Sequence, residues 1–370
     1  MANVKLELVN LRKEFGDLVA VNDVSIAISE SETMALLGPS GCGKSTILNM
    51  IVGLEEPTSG DILIDGKSVL KVPPGDRNVG LVFQDYAVFT HMTVRRNLAY
   101  GLKVRKMKQA DIDREISKVA EFLSITHQLD KKPGQLGASE LQRVAIGRTL
   151  VTNPEILLLD EPLSNLEAAM RNQMRRELRR IQAETGQTII YVTQDQIEAL
   201  SLAHKIAVMD FGLLQQYDTA HNVYQYPDNR FVGSFLGNPP MNFLKGKMSD
   251  DGDRRVVKSA ESSIPLPVGS LGSDVSSGSD VVVGVRPETL SVADPNDPNK
   301  FAVSVLAIEP QGPETVVTAT FGESALKVIV PTGTDVVEGG SMSLVPQSDL
   351  VALFDAESGV RLLDDGGERT

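Results

Sequence analysis

A strand pattern, Met34-Ala35-Leu36-Leu37, runs directly into Gly38-Pro39-Ser40-Gly41-Cys42-Gly43-Lys44-Ser45, then Thr46 and a helical run, Ile47-Leu48-Asn49-Met50-Ile51. A turn of the form G-x-x-x-x-G-K-[ST] between a strand and a helix is a phosphate-binding loop. Its glycines let the backbone wrap tightly, so that amide N–H groups point inward at phosphate oxygens. The helix N-terminus adds partial positive charge, Lys44 is placed to reach β and γ phosphates, and the Ser45 hydroxyl is placed for Mg²⁺. This constrains the chain to an α/β layered domain that binds a nucleoside triphosphate with Mg²⁺. Cys42 serves the loop as a small residue rather than as a nucleophile.

The complementary half follows at Ile156-Leu157-Leu158-Leu159-Asp160-Glu161-Pro162. The apolar run reads as a buried strand that delivers Asp160 to the Mg²⁺ side and Glu161 to where a water would be activated against the γ-phosphate. Further strands are expected at Thr33–Leu37, Val79–Phe83, Glu155–Asp160, Thr188–Thr193 and Ile206–Met209, alternating with helical patterns over roughly the first 235 residues. A helix is expected from Glu167 to Glu184, with Met170, Met174, Leu178 and Ile181 on one buried stripe. Its arginines, Arg171, Arg175, Arg176, Arg179 and Arg180, read as a solvated face rather than an anion site.

Composition narrows the class. A net charge of -13 over 370 residues disfavours a nucleic-acid partner, whose phosphates need a basic surface. One cysteine leaves no internal disulfide framework and fits a reducing compartment. No apolar run reaches membrane-spanning length, and the N-terminus shows no basic-then-apolar signal. The expectation is a cytosolic protein that works at a membrane only through partners. After Asn238-Pro239-Pro240 the character changes. Residues Asp250 to Asp280, rich in Ser, Gly and Asp, read as exposed loops around short strands. Beyond them Val281–Val285, Phe301–Ile308, Thr315–Thr320, Leu326–Val330 and Leu350–Phe354 read as strands of a smaller β-rich domain.

Taken in order, these pieces resemble the ATPase subunits of ABC transporters, and the resemblance runs over nearly the whole chain. Val82-Phe83-Gln84-Asp85-Tyr86 resembles the family's Q-loop, which implies that Gln84 touches Mg²⁺ and the attacking water. The implied Mg²⁺ set is Ser45, Gln84 and Asp160. Phe15 resembles the aromatic that stacks on adenine, with an ordinary core phenylalanine as the alternative. Gln142 to Arg148 match the helix after the family signature, and Leu163-Ser164-Asn165-Leu166 the approach to its D-loop. Phe235 to Asn242 and Gly284-Val285-Arg286-Pro287-Glu288 resemble the maltose-type importers. That resemblance implies a P-loop ABC cassette over 1–237, with a helical subdomain near 86–152, and an OB-like regulatory domain over 238–370. It also implies membrane-spanning permease subunits as partners, an extracytoplasmic solute-binding protein acting indirectly, and a peripheral place on the cytoplasmic face of the plasma membrane. Sugars, glycerol or other polyols are the implied cargo; relatives with similar tails move polyamines or iron.

Three positions depart from the family pattern. In this family two ATPase subunits sandwich two ATPs, each closed by the partner's signature. Where the signature reads L-S-G-G-Q, this chain has Leu136-Gly137-Ala138-Ser139-Glu140. The serine hydrogen bond to the γ-phosphate is lost, worth about 1.5–3 kcal/mol, and two β-carbons replace the glycines. The switch histidine is Gln194, which keeps an amide donor but cannot relay a proton. The D-loop aspartate is Glu167. The expectation is a motor subunit paired with a second, non-identical ATPase; the alternative is a nucleotide-binding subunit that does not turn over.

Overall fold

The computed structural model describes residues 3–251, 254–259, 262–266, 275–294, 296–347 and 350–362. The chain forms two compact units, 1–220 and 221–370.

In the first unit, β1 (Val4–Phe15) and β2 (Leu18–Ser29) form a hairpin, followed by β3 (Thr33–Leu37), α1 (Lys44–Val52), β4 (Ser59–Ile64), β5 (Lys67–Ser68) and β6 (Val79–Val82). Three helices come next, α2 (Val94–Val104), α3 (Gln109–Phe122) and α4 (Ala138–Leu150). Then follow β7 (Ile156–Asp160), α5 (Ala168–Thr185), β8 (Thr188–Thr193), α6 (Gln196–Leu202), β9 (Lys205–Asp210) and β10 (Leu213–Thr219). One sheet has the order β10-β9-β3-β8-β7-β6, and the other is an antiparallel sheet of order β2-β1-β4-β5. Strands β9, β3, β8, β7 and β6 pair in parallel, and only β10 runs against its neighbour. Every residue of β3 and β8 is buried, as a sheet covered on both faces requires. These strands were legible because they are continuous apolar runs. The 12-residue β1 and β2 were not, because register shifts between Leu8 and Leu11 and between Leu11 and Lys13 break the alternation that marks a strand.

Helix α1 carries the phosphate loop at its start and is anchored at its end. Its C-cap is Gly53 in the left-handed region, and the buried Arg77 guanidinium donates to the carbonyls of Met50 and Ile51, each at 2.9 Å. Cationic charge at a helix C-terminus complements the macrodipole. In α5 the buried residues are Met174, Leu178 and Ile181, whereas Met170 is exposed. The expected stripe therefore starts one turn late: the first turn of α5 stands clear of the core, and Leu166 just before it is buried instead. The arginine row is partly engaged, with Arg180 over the Phe122 ring at 4.9 Å.

The second unit contains the short helices α7 (Ala220–Gln225, which begins at the boundary) and α8 (Arg230–Phe235), then two five-stranded sheets. The first has the order β13-β12-β11-β14-β20, from β11 (Asn242–Asp251), β12 (Arg254–Ser259), β13 (Ser262–Pro265), β14 (Asp280–Val285) and β20 (Ala352–Asp355). The second has the order β15-β19-β16-β17-β18, from β15 (Leu290–Val292), β16 (Phe301–Pro310), β17 (Glu314–Phe321), β18 (Ser324–Pro331) and β19 (Ser341–Pro346). Both pack around one core that includes Leu244, Val283, Phe301, Val317 and Leu344. Within the stretch read as loops around short strands, β12 and β13 pair antiparallel, while parts of 250–280 lie outside the described residues.

The compact units divide at 220/221, ahead of the 237/238 boundary expected from sequence. The physical reason is Arg286. Only 1 % exposed, it donates to the carbonyls of Gly233, Leu236 and Tyr224 and lies over the Tyr224 ring at 4.1 Å, so α7 and α8 are bound to the β-rich core. Glu288 accepts from the Tyr224 hydroxyl at 2.6 Å; burial first, then that hydrogen bond, pushes Tyr224 up to about 12. Replacing Arg286 by Met keeps the stem but leaves three buried carbonyls without their donor. We expect the second unit to lose about 3 kcal/mol, read as a lower urea midpoint, with ATP affinity unchanged.

Candidate functional site

The parallel strands end at one edge, and the predicted residues gather there. The phosphate loop leaves β3, Gln84 lies just past β6, Asp160 closes β7, and Gln194 follows β8. Ligands of open α/β sheets bind outside the carboxyl ends of the strands. A cleft of about 660 Å³ opens at this edge, lined by Ser40, Gly41, Gly43, Lys44, Ser45 and Thr46, and by Gln84, Glu161, Gln194 and Phe15. Phe15 is 46 % exposed, which removes the core-phenylalanine alternative.

The loop geometry explains its composition. A Cβ at Gly43, where φ is 100°, would lie 2.3 Å from the Ala20 carbonyl oxygen, and one at Gly38 would lie 2.3 Å from that of Met209. Gly41, at φ 79°, faces open space. The Lys44 ammonium is buried and donates to the carbonyls of Gly38 at 2.8 Å and Pro39 at 2.7 Å, with Cys42 Sγ at 3.6 Å. Among the described residues no carboxylate pairs with it. A buried cation ringed by neutral acceptors, beside an open backbone cradle, fits a polyphosphate. Cys42 is buried and its thiol is pushed up by that burial, in keeping with a packing role.

Ser45 Oγ donates to Asp160 Oδ1 at 3.1 Å. A hydroxyl and a carboxylate side by side are hard oxygen donors of the kind that Mg²⁺ takes, with waters and phosphate oxygens completing the shell. Burial, then the charge of Glu161, raises the Asp160 carboxyl against the pull of Ser45 and Lys44. Glu161 sits at φ 43°, an uncommon conformation for a side-chain-bearing residue, and its N–H donates to the Val192 carbonyl at 3.0 Å. Its carboxylate is held at both oxygens: Gln194 Nε2 donates to Oε1 at 2.7 Å, and Gln84 Nε2 to Oε2 at 3.3 Å. Strain at such a position is typical of functional sites.

The family model for ABC transporters matches residues 21–164, and that for the MalK OB fold domain matches residues 237–290. The chain is 40% identical over 360 residues to the sulfoquinovosyl glycerol transport ATP-binding protein SmoE of Agrobacterium fabrum, covering 96% of this chain and 98% of that one. It is 46% identical over 292 residues to the maltose/maltodextrin import ATP-binding protein MalK of Yersinia pestis, 78% of each. The dimeric, ADP- and phosphate-bound cassette MJ0796 superposes at TM-score 0.53 with 28% identity, over 58% of this chain and 98% of that one. The chain belongs to the ABC transporter ATPases. It is a P-loop ATP hydrolase with a MalK-type OB domain, and it binds ATP. Of the described helices, none is long and apolar enough to cross a membrane.

The segment read as the signature, Leu136 to Glu140, does not line the cleft. Gly137 is the N-cap of α4, and its N–H is taken by the side chain of Glu140 at 2.8 Å; Gln128 donates to the other Glu140 oxygen at 2.5 Å. At Gly137 φ is -76°, and a Cβ would have only Glu140 Oε2 near it, at 3.9 Å. A serine therefore fits here; its absence is not forced by packing. Behind Gln194, sequence reading missed a buried network. Glu198 accepts from the hydroxyls of Tyr191 and Thr193, both at 2.8 Å. Arg171 donates to the Leu166 carbonyl at 2.8 Å and approaches Asp195 at 3.8 Å, joining the turn before α5 to the loop after β8. Also missed were Leu18, Val19, Ala20, Phe211 and Gly212, which complete the cleft wall. Only the Phe-Gly pair between two strand patterns could have flagged the last two.

Two outcomes follow. Gly43→Ala drives the loop against the Ala20 carbonyl and weakens ATP binding by at least about tenfold, read by calorimetry. Glu198 titrates the opposite way from an ion-paired carboxylate: burial, then the charge of Asp195, raises it above its ordinary 4.5, against Thr193, Tyr191 and Arg171. The native state then holds the proton more tightly, so this contribution to stability is complete below 4.5 and is lost as pH rises through the raised value. The thermal midpoint of the wild type relative to Glu198→Gln should therefore climb as pH falls from neutrality toward 4.5.

Proposed function

We propose that the chain is a motor subunit of a solute importer, and that it works beside a second, non-identical ATPase subunit. The observation that carries the motor reading is Glu161. Its carboxylate faces the phosphate loop across the cleft, with both oxygens held by amide donors. In hydrolysis Glu161 orients the attacking water and accepts its proton, Lys44 and the loop amides steady the β and γ oxygens, and Gln84 positions the water. Ser45, Asp160 and the Gln84 side chain would hold Mg²⁺, which would supply charge neutralisation at the phosphates. Phe15 offers an exposed ring at the far end of the cleft for the adenine.

The asymmetric pairing is supported by where the departures fall. Gln194 serves the ATP on this chain's own loop and has no proton to relay; the Gly137-Ala138-Ser139 run serves the ATP on the partner's loop. A homodimer would place both faults in both sites, whereas a partner with an intact signature and switch histidine leaves one in each. The transport proteins named above act on maltose/maltodextrin and a sulfoquinovosyl glycerol, so the cargo is a sugar or a polyol derivative. The chain sits at the cytoplasmic face on permease subunits, fed by an extracytoplasmic solute-binding protein.

Purification of the transporter from its native membrane through this chain should recover one copy of it with one copy of a different ATPase, counted by mass spectrometry. Two copies of this chain, hydrolysing at ordinary transporter rates, would defeat the asymmetric reading. In the reconstituted transporter, Glu161→Gln should cut solute uptake at least about a hundredfold. Unchanged uptake would mean that this subunit binds ATP without turning it over.

A further inference from the structure

Three of the chain's exposed large apolar side chains line the cleft that holds the phosphate loop: Phe15 at 46 %, Leu18 at 66 % and Phe211 at 85 %. Phe211 is the one the fold does least to explain. With Gly212 it forms the turn between β9 and β10, whose flanking residues Asp210 and Leu213 pair with each other. Both turn residues are left-handed, Phe211 at φ 43° and Gly212 at φ 78°. A two-residue hairpin with both centres left-handed favours Asn-Gly, and a bulky aromatic at the first position is strained. The strain is not offset by burial, since most of the ring is bare.

The turn is also fixed in place. The Gly212 N–H donates to the Cys42 carbonyl inside the phosphate loop at 3.2 Å, and the Asn22 N–H donates to the Gly212 carbonyl at 2.9 Å. Phe211 is thus held against the loop rather than left to move with a free hairpin. Phe15, meanwhile, offers only one free face. The Lys13 ammonium lies 4.7 Å from its ring centroid and is itself held by the Glu56 carbonyl at 2.8 Å and Glu55 at 3.2 Å.

We propose that Phe211 is a second apolar wall for the base and ribose of the bound nucleotide, facing the end of the cleft that Phe15 and Leu18 begin. The backbone strain of the turn is kept because the ring is covered when a nucleoside occupies the cleft. The ring then contributes to affinity for a nucleoside triphosphate and nothing to affinity for its phosphates. This deepens the reading of Phe15 as the adenine platform and rests on it.

Calorimetry on the full chain with Mg²⁺ and either ATP or inorganic tripolyphosphate tests this. Phe211→Asn suits the turn better than the native residue, so its thermal midpoint should equal or exceed that of the wild type, which removes misfolding as an explanation. Its ATP dissociation constant should rise about 5- to 10-fold, the scale of one lost aromatic contact to a base, with tripolyphosphate binding unchanged. Phe211→Ala should match it. Unchanged ATP affinity in both variants would overturn the inference. So would equal weakening toward ATP and tripolyphosphate, which would mean that the turn acts through the phosphate loop. Normal ATP affinity with loss of transporter assembly would assign the ring to a subunit contact and overturn it too. Phe15→Ala separates the two readings: if it leaves ATP affinity intact while the Phe211 variants lose theirs, the platform reading fails and the Phe211 wall stands.

Discussion

The register of three parallel strands supports everything else in the cassette. Leu36 of β3 and Asp160 of β7 both pair with Val192 of β8, so the three strands end level with one another. The phosphate loop, the Asp160–Glu161 pair and Gln194 consequently leave the sheet at the same height and meet over a few ångströms. A slip of one residue in any strand would exchange the side chains that its two buried faces present to different packing partners. Burial on both sides of the sheet thus enforces the site's alignment as a by-product of forming the core.

The site itself runs against the preferences of an isolated chain. A lysine is buried among carbonyls, Glu161 adopts a left-handed backbone, and Asp160 is raised by its own burial. None of these arrangements would survive on a loop alone. They persist because α1 is fastened at its far end by Arg77 and because the sheet edge leaves each loop little freedom.

The residues read as departures from the family pattern sit in different physical situations. Gln194 has become part of the clamp on Glu161, donating at 2.7 Å. Gly137 leaves room for a side chain that it does not supply, and Glu140 fills the helix start instead.

The phosphate loop and the Asp160–Glu161 strand end could be picked out by residue type and local order, and Gln84 and Gln194 through the family resemblance; the structure brings these four features to one sheet edge. Also legible were the fully buried strands, whose apolar runs need no partner to be recognised, and the β-rich tail. What only tertiary structure decided involves residues brought together by topology. Phe211 reaches the phosphate loop because β9 lies beside β3, Arg171 bridges two loops because α5 follows one and flanks the other, and Arg286 draws α7 and α8 into the second unit. The bulged β1 and β2 belong with these, as does Met170, whose helical spacing matched a stripe that the core does not extend to cover. Local chemistry is written in consecutive residues, whereas long-range pairing depends on the packing of distant segments, for which a single sequence carries no periodic signal.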